Sequence, residues 1–319
     1  MKEITIGKND SGMRLDRFIY KAVPLLPTSL CQKYIRLKRI KVNEKPSDSR
    51  YRLREGDVLS LYINDEFFEA PSEENAYLKI PNPRLDIIYE DDNILLVDKK
   101  PGILVHPDKG EFQNTLIANI QAYLYLKGQW QPRKENSFVP SLCNRLDRNT
   151  GGIVIAAKNA TALRIINDRI RNHEIDKYYL CIVHGVPSPP SGTLKGYIIK
   201  ENDKNRVFVL SRPEKGAKSA VTEYRTITSK NNLSLLECRL LTGRTHQIRA
   251  QLSAAGHPLL GDIKYGAEKD AETFQALYSY KLVFNFKTPA GELEYLKNKA
   301  FCVPRVEFIE KYFSLKFLH

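Results

Sequence analysis

The 319-residue sequence predicts an α+β protein with a mixed, mostly antiparallel sheet, preceded by a small α/β domain. Beyond about residue 83, short strand-like runs alternate with a few helical ones, and strands dominate the later part of the chain. Charge is also uneven. Residues 1–64 carry 14 basic and 7 acidic side chains, residues 65–92 carry 2 and 9, and residues 93–319 carry 34 and 21. We therefore predict domains at 1–64 and 83–319, joined by an acidic linker at 65–82.

The front domain is expected to place two short helices on a small sheet. The segments RLDRFIYKAV (14–23) and TSLCQKYIRLKRI (28–40) have apolar residues at helical spacing, and Thr28 can cap the second helix. The runs IKVNEKP and YRLREGDVLSLYI read as strands around turns. Together these segments predict a compact α/β unit.

The second of these helices and its exit form a basic surface. Residues 28–41 contain no acid. The surface comprises Lys33, Arg36, Lys38, Arg39 and Lys41. Such a cluster suits RNA phosphates, and we predict contacts from Lys33, Arg36 and Arg39. An ordinary solvated helix is the alternative interpretation.

Composition narrows the classes of function. The formal net charge of +13 indicates a polyanionic partner, nucleic acid before membrane. No apolar run approaches the roughly 18 residues of a membrane span, and MKEITIGKND lacks the apolar core of a secretory signal, so we expect a cytoplasmic protein. Five scattered cysteines and six scattered histidines predict neither disulfides nor a metal site, and no Gly-rich nucleotide-binding loop occurs.

The second domain is predicted from alternating segments. Strands are expected at LDIIYE, ILLVDKK, GIVIAAK, KYYLCIVHG, VTEYRTITS, LSLLECRLL and KLVFNF. Helices are expected at NTLIANIQAYLYLK and ATALRIINDRIRN. The abundance of strands with few crossover helices favours a mostly antiparallel sheet.

The segment CNRLDRNTGGIVIAAKN is the sharpest chemical feature. It sets Asp147 between Arg145 and Arg148, immediately before a Gly-Gly turn into a strand. Neighbouring guanidinium groups favour an ionised carboxylate, and a loop at the start of a strand is expected to face a cleft. From these residues alone, a surface charge cluster remains the alternative.

Two resemblances extend this interpretation. RLDRFI, the basic helix, KVNEKP and REGDVLSLYI resemble an S-four-like RNA-binding domain over residues 13–64. LLVDKKPGILVHP, RLDRNTGG, KYYLCIVHG, TEYRT, GRTHQIR and GHPLLGDIKYG, in that order, resemble the catalytic domain of RluA-type pseudouridine synthases over about residues 84–265. The resemblance implies the pseudouridine synthase fold and an RNA substrate.

The second resemblance also implies a reaction and its residues. Uridine in RNA would be isomerised so that the ribose becomes joined to carbon 5 of the uracil, with no cofactor. The essential aspartate falls on Asp147, which would attack the sugar, attack the ring, or assist glycosidic cleavage as a base. Tyr179 of Lys-x-Tyr would stack on a flipped uracil, and Arg249 would pair with the aspartate.

Other residues are assigned around this core. Arg145, Arg148 and Arg244 are expected to contact RNA, whereas His246 and His257 are expected to be structural. The resemblance departs at two positions, where Asn144 replaces a common histidine and Gly151 a frequent serine. Asn144 cannot be protonated, so a charged RNA contact is not expected there. The interpretation of Trp130 is loop packing in preference to RNA contact.

The substrate and the competing functions follow from the same features. Ribosomal RNA is favoured over transfer RNA because of the appended front domain, and a monomer without an obligatory protein partner is expected. A non-catalytic RNA-binding protein, such as a ribosome-assembly factor, would share the basic surface but would not need Asp147 with Arg249. A glycoside hydrolase needs two carboxylates roughly 5–9.5 Å apart, and no second acidic motif is apparent.

Overall fold

The computed structural model describes residues 1–68, 76–108, 114–132, 135–201, 206–267 and 272–315. It contains two sheets, one of four strands and one of eleven. None of the helices in these ranges is long and apolar enough to span a membrane.

The first sheet belongs to the front module. Its elements are β1 (Lys2–Thr5), α1 (Leu15–Ala22), α2 (Thr28–Arg36), β2 (Ile40–Val42), β3 (Lys45–Pro46) and β4 (Val58–Leu61). All pairs are antiparallel in the order β1-β4-β2-β3. The small α/β unit is therefore confirmed, and β1 is an addition that the sequence prediction lacked.

The two helices pack their apolar faces on this sheet. Leu15, Phe18 and Ile19 of α1 are fully buried together with Cys31 of α2. The prediction that Thr28 caps α2 is wrong, because the N-cap position is Pro27 and no side chain caps the helix there.

The second sheet contains the remaining strands. They are β5 (Ile87–Glu90), β6 (Ile94–Lys99), β7 (Ser141–Leu142), β8 (Gly151–Ala157), β9 (Ile175–His184), β10 (Ser191–Lys200), β11 (Val207–Leu210), β12 (Lys218–Lys230), β13 (Leu233–Leu240), β14 (Leu277–Phe284) and β15 (Ala300–Cys302). The helices are α3 (Leu116–Leu126), α4 (Ala160–Arg171), α5 (Gln247–Ala254) and α6 (Glu307–Phe313).

Strand order confirms a mixed, mostly antiparallel sheet. The path is β11-β10-β12-β13-β9-β14-β8-β6-β5, with β15 on β14 and β7 on β8. Only the β14–β8 pair is parallel among the strand pairs of the described ranges. Each segment predicted as a strand in this domain contributes to the sheet, and both predicted helices form.

The sheet is covered on both faces, and its strand β8 is apolar throughout. All seven residues of β8 are buried. Ile153 and Ile155 face a core that also contains residues of α4 and α6, and Val154 faces a second core with α3 and α5. This alternation follows from the two-residue period of a strand. The second face also carries Tyr179 and Leu146, and it is the face of the cavity described below.

The segment predicted as an acidic linker, 65–82, is partly outside the described residues. Tyr77 within it is buried and lies edge-on to Trp130, with ring centroids 5.0 Å apart. Trp130 is itself buried, as its packing interpretation predicted. The boundaries at 64/65 and 82/83 stay predictions.

A loop of the front module is attached directly to the second domain. Asp10 is 1% exposed and accepts hydrogen bonds from Ser137 Oγ at 2.5 Å and Asn136 Nδ2 at 3.0 Å. Asn9 Oδ1 accepts from the backbone N–H of Ala160, the first residue of α4, at 3.1 Å. These polar contacts orient the front module relative to the large sheet.

Candidate active site

The loop that carries Asp147 is fixed through its backbone. The carbonyl of Arg148 accepts hydrogen bonds from Lys99 Nζ at 2.8 Å and from the Gly102 N–H at 2.9 Å, while Arg148 Nε donates to the Gly102 carbonyl at 3.0 Å. Lys99 Nζ also donates to the carbonyls of Lys100 and Ile103, both at 3.0 Å. Burial lowers the pKa of Lys99 to about 7, against the opposing influence of Asp147 and Asp98. The loop is therefore held to the chain that leaves β6.

The turn from this loop into β8 requires glycine. Gly152 has a φ of +118°, and a Cβ there would lie 2.2 Å from the carbonyl oxygen of Ser279. A Cβ on Gly151 would lie 2.2 Å from the ring of Tyr278, whose hydroxyl donates to Asp98 at 2.7 Å. Glycine replaces the frequent serine at position 151, and the Tyr278 ring occupies the space that a side chain there would need.

Arg249 holds Asp147 from the opposite side. Its Nη1 donates to Asp147 Oδ2 at 3.0 Å, while its Nε and Nη2 form a bidentate pair with Asp262 at 2.7 and 2.8 Å. Burial opposes the charge of Arg249, but Asp262 and Asp147 outweigh it and raise the pKa of the guanidinium. One arginine thereby joins two carboxylates that are far apart in sequence.

The two carboxylates differ in their access to solvent. The side chain of Asp147 is 23% exposed, whereas that of Asp262 is 1% exposed. Asp262 has both oxygens engaged by Arg249, so it serves to orient the guanidinium. The sequence argument against a glycoside hydrolase did not identify Asp262 as a second acid near Asp147. Because Asp262 is buried with both oxygens bound to Arg249, it is not available as a second reacting carboxylate.

Asp147 opens into a cavity of about 270 Å³. Its wall includes Tyr179, Lys177, Arg244, His246 and Arg249. Tyr179 is 6% exposed, and burial raises the pKa of its hydroxyl to about 12, which keeps the group protonated near neutral pH. The structure therefore brings Asp147, Tyr179 and Arg249, the three residues predicted as catalytic, into one cavity.

Strand geometry separates Tyr179 from its neighbour Tyr178. The Tyr178 ring contacts Lys281 Nζ at 4.5 Å from its centroid and does not line the cavity. Consecutive residues of β9 point to opposite faces, so the choice of Tyr179 as the ring that faces the cavity agrees with the structure.

His246 precedes α5 in a left-handed conformation, with φ +52° and ψ +23°. Its Nδ1 lies 2.8 Å from the Tyr265 hydroxyl, and its Nε2 lies 3.6 Å from Asp147 Oδ2. The Tyr265 hydroxyl accepts from the Val207 N–H at 3.0 Å, so it can donate its own proton to His246. Burial lowers the pKa of His246, which favours the neutral ring. The histidine thus hydrogen-bonds to Tyr265 outside its own turn, and a purely structural role for it stays a prediction.

The arginines predicted to contact RNA occupy different positions. Arg145 and Arg148 are exposed, and within the described ranges neither forms an ion pair with Asp147. The sequence argument took these two neighbours as the guanidinium partners of Asp147, and the structure corrects it, because the partner is Arg249. Arg244 lines the cavity and donates through Nε to the Ser219 carbonyl at 3.0 Å.

The basic side chains of the front module remain open to solvent. Lys33, Arg36 and Arg39 are exposed, and none forms an ion pair in the part of the chain that the structure describes. Lys33 and Arg36 occupy the last turn of α2, and Arg39 lies over the Tyr34 ring at 5.5 Å. Their contact with RNA stays a prediction.

The side chain of Asn144 forms hydrogen bonds with the backbone of β8. Its Oδ1 accepts from the Ile155 N–H at 2.8 Å, and its Nδ2 donates to the Ile153 carbonyl at 3.2 Å. The amide thus pairs with β8 as an extra strand residue would. His257, predicted to be structural, lies with its Nδ1 3.0 Å from the His184 carbonyl.

Sequence reasoning missed Asp262, Lys99 and Tyr265 as parts of this arrangement. Asp262 and Tyr265 belong to the quoted Gly-Asp-x-x-Tyr-Gly run, and Lys99 belongs to the quoted LLVDKKPG run. The sequence shows that these residues lie in the motifs, but it does not show their partners, which are distant along the chain. Among the described residues, no group of three or more His, Cys, Asp or Glu side chains could hold a metal ion.

Comparisons with known proteins agree with this geometry. A family profile described as RNA pseudouridylate synthase matches residues 93–254, and an S4 domain profile matches residues 13–59. The chain is 36% identical to a Chlorobaculum parvum protein named as an uncharacterized RNA pseudouridine synthase, with 82% of this chain and 78% of the relative covered. It is 33% identical to a ribosomal large subunit pseudouridine synthase D of Zymomonas mobilis, with 85% and 82% covered.

Solved structures add support for the fold. Human RNA Pseudouridylate Synthase Domain Containing 4 matches with a TM-score of 0.55 at 21% identity. The match covers 72% of this chain and 91% of the human one.

Proposed function

The chain belongs to the RNA pseudouridylate synthase family, and from this premise we propose that it isomerises specific uridines of ribosomal RNA, with Asp147 as the reacting carboxylate and no cofactor. The observation that carries the proposal is the 3.0 Å contact between Arg249 Nη1 and Asp147 Oδ2, in a cavity that also contains Tyr179. A protein that only binds RNA gains nothing from a carboxylate at such a position, since the carboxylate repels phosphates.

Ribosomal RNA is proposed as the substrate on the strength of named relatives. Proteins of Zymomonas mobilis and Neisseria meningitidis, at 33% and 30% identity, are called ribosomal large subunit pseudouridine synthase D. The exposed cations of the front module are consistent with a long structured RNA, because they extend the basic surface beyond the cavity. Transfer RNA is the alternative substrate.

The target uridine is proposed to leave its stack and enter the cavity. Flipping costs a few kcal/mol, which contacts from Arg145, Arg148 and Arg244 to flanking phosphates can offset. Tyr179 would then lie against the uracil ring, with Asp147 at the sugar or at the ring edge. The three paths open to the carboxylate all need it held in a fixed position, and the pair with Arg249 supplies this condition.

A single chain is proposed to suffice. Asp147, Tyr179 and Arg249 line one cavity of one chain, so the proposed chemistry does not need a residue from a second copy. Measuring activity at dilutions where sedimentation shows a monomer tests this, because a site shared between chains would lose activity there.

The decisive experiment uses RNA labelled with 5-tritiated uridine, since joining carbon 5 to the sugar releases the tritium. The wild-type enzyme should release tritium from a ribosomal RNA fragment and leave transfer RNA unchanged. Asp147→Asn should reduce release by on the order of 10³-fold or more while RNA affinity changes only a few-fold. Retained turnover in this variant would overturn the role of Asp147, and tritium release from transfer RNA alone would overturn the substrate.

A further inference from the structure

Lys177 is a cation without a partner in the wall of the cavity. It is half-buried on β9, and within the described ranges its ammonium has no hydrogen bond or ion pair. The other buried cations differ. Lys99 donates to three carbonyls, Lys158 pairs with Glu90 at 3.0 Å, and Arg249 contacts two carboxylates.

An unpaired cation in such a place is unfavourable for the free protein. Burial lowers the pKa of the Lys177 ammonium, and no charge among the described residues offsets this. Taking an ion out of water without a partner is strongly unfavourable, and part of that cost applies to a half-buried group. A ligand that supplies an acceptor oxygen would remove this cost.

Strand geometry limits where the ammonium can find such a partner. Lys177 pairs in register with Leu240 on β13 and with Leu282 on β14, so its neighbours across the sheet are apolar. It lies two residues from Tyr179 and therefore on the same face of β9, at a separation of about 6.6 Å along the strand. A ring stacked on Tyr179 would lie within reach of the lysine side chain.

Of the other cations that line the cavity, Arg145 is exposed, whereas Arg249 and Arg244 already contact protein groups. Arg249 is engaged by Asp147 and Asp262, and Arg244 donates through Nε to Ser219. Lys177 therefore has its full set of donors available for a substrate.

The proposed reaction creates the charge that such a donor would stabilise. When the bond between N1 and the sugar breaks, its electron pair leaves with the uracil, and the resulting negative charge is shared with the carbonyl oxygens. Addition of a carboxylate to the ring likewise moves an electron pair onto a carbonyl oxygen. The new bond from carbon 5 to the sugar later uses the electron pair of the ring, carbon 5 loses its proton, and N1 gains one, so atoms balance.

We infer that the Lys177 ammonium donates a hydrogen bond to a carbonyl oxygen of the flipped uracil and stabilises the negative charge that develops there. The inference rests on the proposed function and holds for both paths just described, because each places charge on a carbonyl oxygen. Lys177 keeps its proton throughout. The alternative is that Lys177 binds a phosphate of the RNA backbone, and this alternative predicts different results.

The test compares Lys177→Met, Lys177→Arg and the control Lys281→Met on the tritiated ribosomal RNA fragment. Lys281 is a lysine of the neighbouring strand that contacts the Tyr178 ring and does not line the cavity. Lys177→Met should lower kcat by about 10²-fold with an unchanged Kd, as expected for a donor used mainly in the transition state. Lys177→Arg should recover part of the loss, and Lys281→Met should match wild type.

Salt dependence separates the two occupants. A uracil contact leaves the slope of log Kd against log salt unchanged in Lys177→Met, whereas loss of a phosphate contact would flatten it by about 0.7–0.9 and weaken binding. A flattened slope with unchanged kcat would overturn the inference in favour of a phosphate.

Thermal unfolding provides a readout independent of catalysis. Removing an unpaired cation should leave the Tm of Lys177→Met at or above the wild-type value, and a marked fall in Tm would overturn the inference by revealing a structural role. If Lys177→Met turns over at the wild-type rate while Asp147→Asn is inactive, the inference fails and the proposed function stands. If Asp147→Asn is active, the proposed function fails first.

Discussion

The cavity and the basic surface of the front module hold positive charge in opposite ways. In the cavity, Arg249 is 8% exposed and is shared between two carboxylates. On the front module, Lys33, Arg36 and Arg39 are exposed and none of them forms an ion pair in the described ranges. The buried pair fixes the position of Asp147, and the exposed cations remain available to bind phosphates.

This difference predicts different functions for the two regions. A paired, buried guanidinium holds Asp147 at a defined position before substrate arrives, which favours chemistry. Free surface cations attract phosphates over a wide range of RNA geometries, which favours affinity and salt sensitivity. Substitutions in the first region should therefore change rate, and substitutions in the second should change binding.

After Asp147→Asn, the largest of these effects is expected at Asp262. Asp262→Asn weakens the bidentate partner of Arg249, so Asp147 loses its fixed position and turnover should fall by about 10²-fold. Weakening a buried pair should also cost up to about 3 kcal/mol of stability. Single-turnover tritium release and thermal unfolding measure the two losses separately.

Glu174→Gln is the matched control for Asp262→Asn. Glu174 is also buried and pairs with Arg169 Nη1 at 2.8 Å, but neither residue lines the cavity. It should lose comparable stability with a wild-type rate below the melting transition. Equal rate losses in both variants would mean that Asp262 acts only through folding.

The next effect is expected at Tyr179. Tyr179→Phe keeps the ring but removes the hydroxyl, whose pKa burial raises to about 12, and the rate should fall by about 10²-fold with unchanged affinity. Tyr178→Phe removes a hydroxyl from the adjacent ring on the other face and should leave the rate unchanged. Loss of folding in Tyr179→Phe with no separate effect on rate would favour a packing role.

The front module should show the complementary behaviour. Changing Lys33, Arg36 and Arg39 together to Gln should weaken RNA binding and flatten the salt slope by about two to three, while kcat at saturating RNA stays the same. The control changes three cations whose carboxylate partners lie on the surface beside them: Arg171, Lys297 and Arg305. An equal slope in both triple variants would mean that this basic surface does not contact RNA.

The smallest effect concerns one of the contacts that join the front module to the second domain. Asn9→Ala removes the acceptor for the Ala160 N–H and should cost about 1 kcal/mol of stability. Turnover should fall a few-fold on a long ribosomal RNA fragment and remain unchanged on a short hairpin that reaches only the cavity. Lys8→Ala, which removes an exposed pair with Glu292, should change neither.

The sequence predicted the sheet elements because their apolar patterns are local. The runs ILLVDKK and GIVIAAK read as strands, and they form β6 and β8. Helix α5 was not predicted, because its buried polar residues Gln247, Arg249 and Gln251 obscure an apolar stripe. These side chains find partners on distant strands, as Gln251 does at the Thr222 hydroxyl, and local pattern does not contain that information.

The candidate site shows the same limit. The pair of Asp147 with Arg249 was predicted through motif resemblance, and the structure brings the two together. The role of Asp262 escaped prediction because it depends on a bidentate contact formed only in the folded chain. Residue types in a motif can identify a reaction, but the order of contacts around the reacting group requires the tertiary structure.

The most direct test of the central claim maps pseudouridines in ribosomal RNA from cells that carry the wild-type gene, the Asp147→Asn gene or no gene. The account predicts sites that are modified with the wild-type gene and unmodified in both other strains, with the variant protein present at normal levels. Ribosomal RNA that keeps the same modifications in cells with only Asp147→Asn would contradict it.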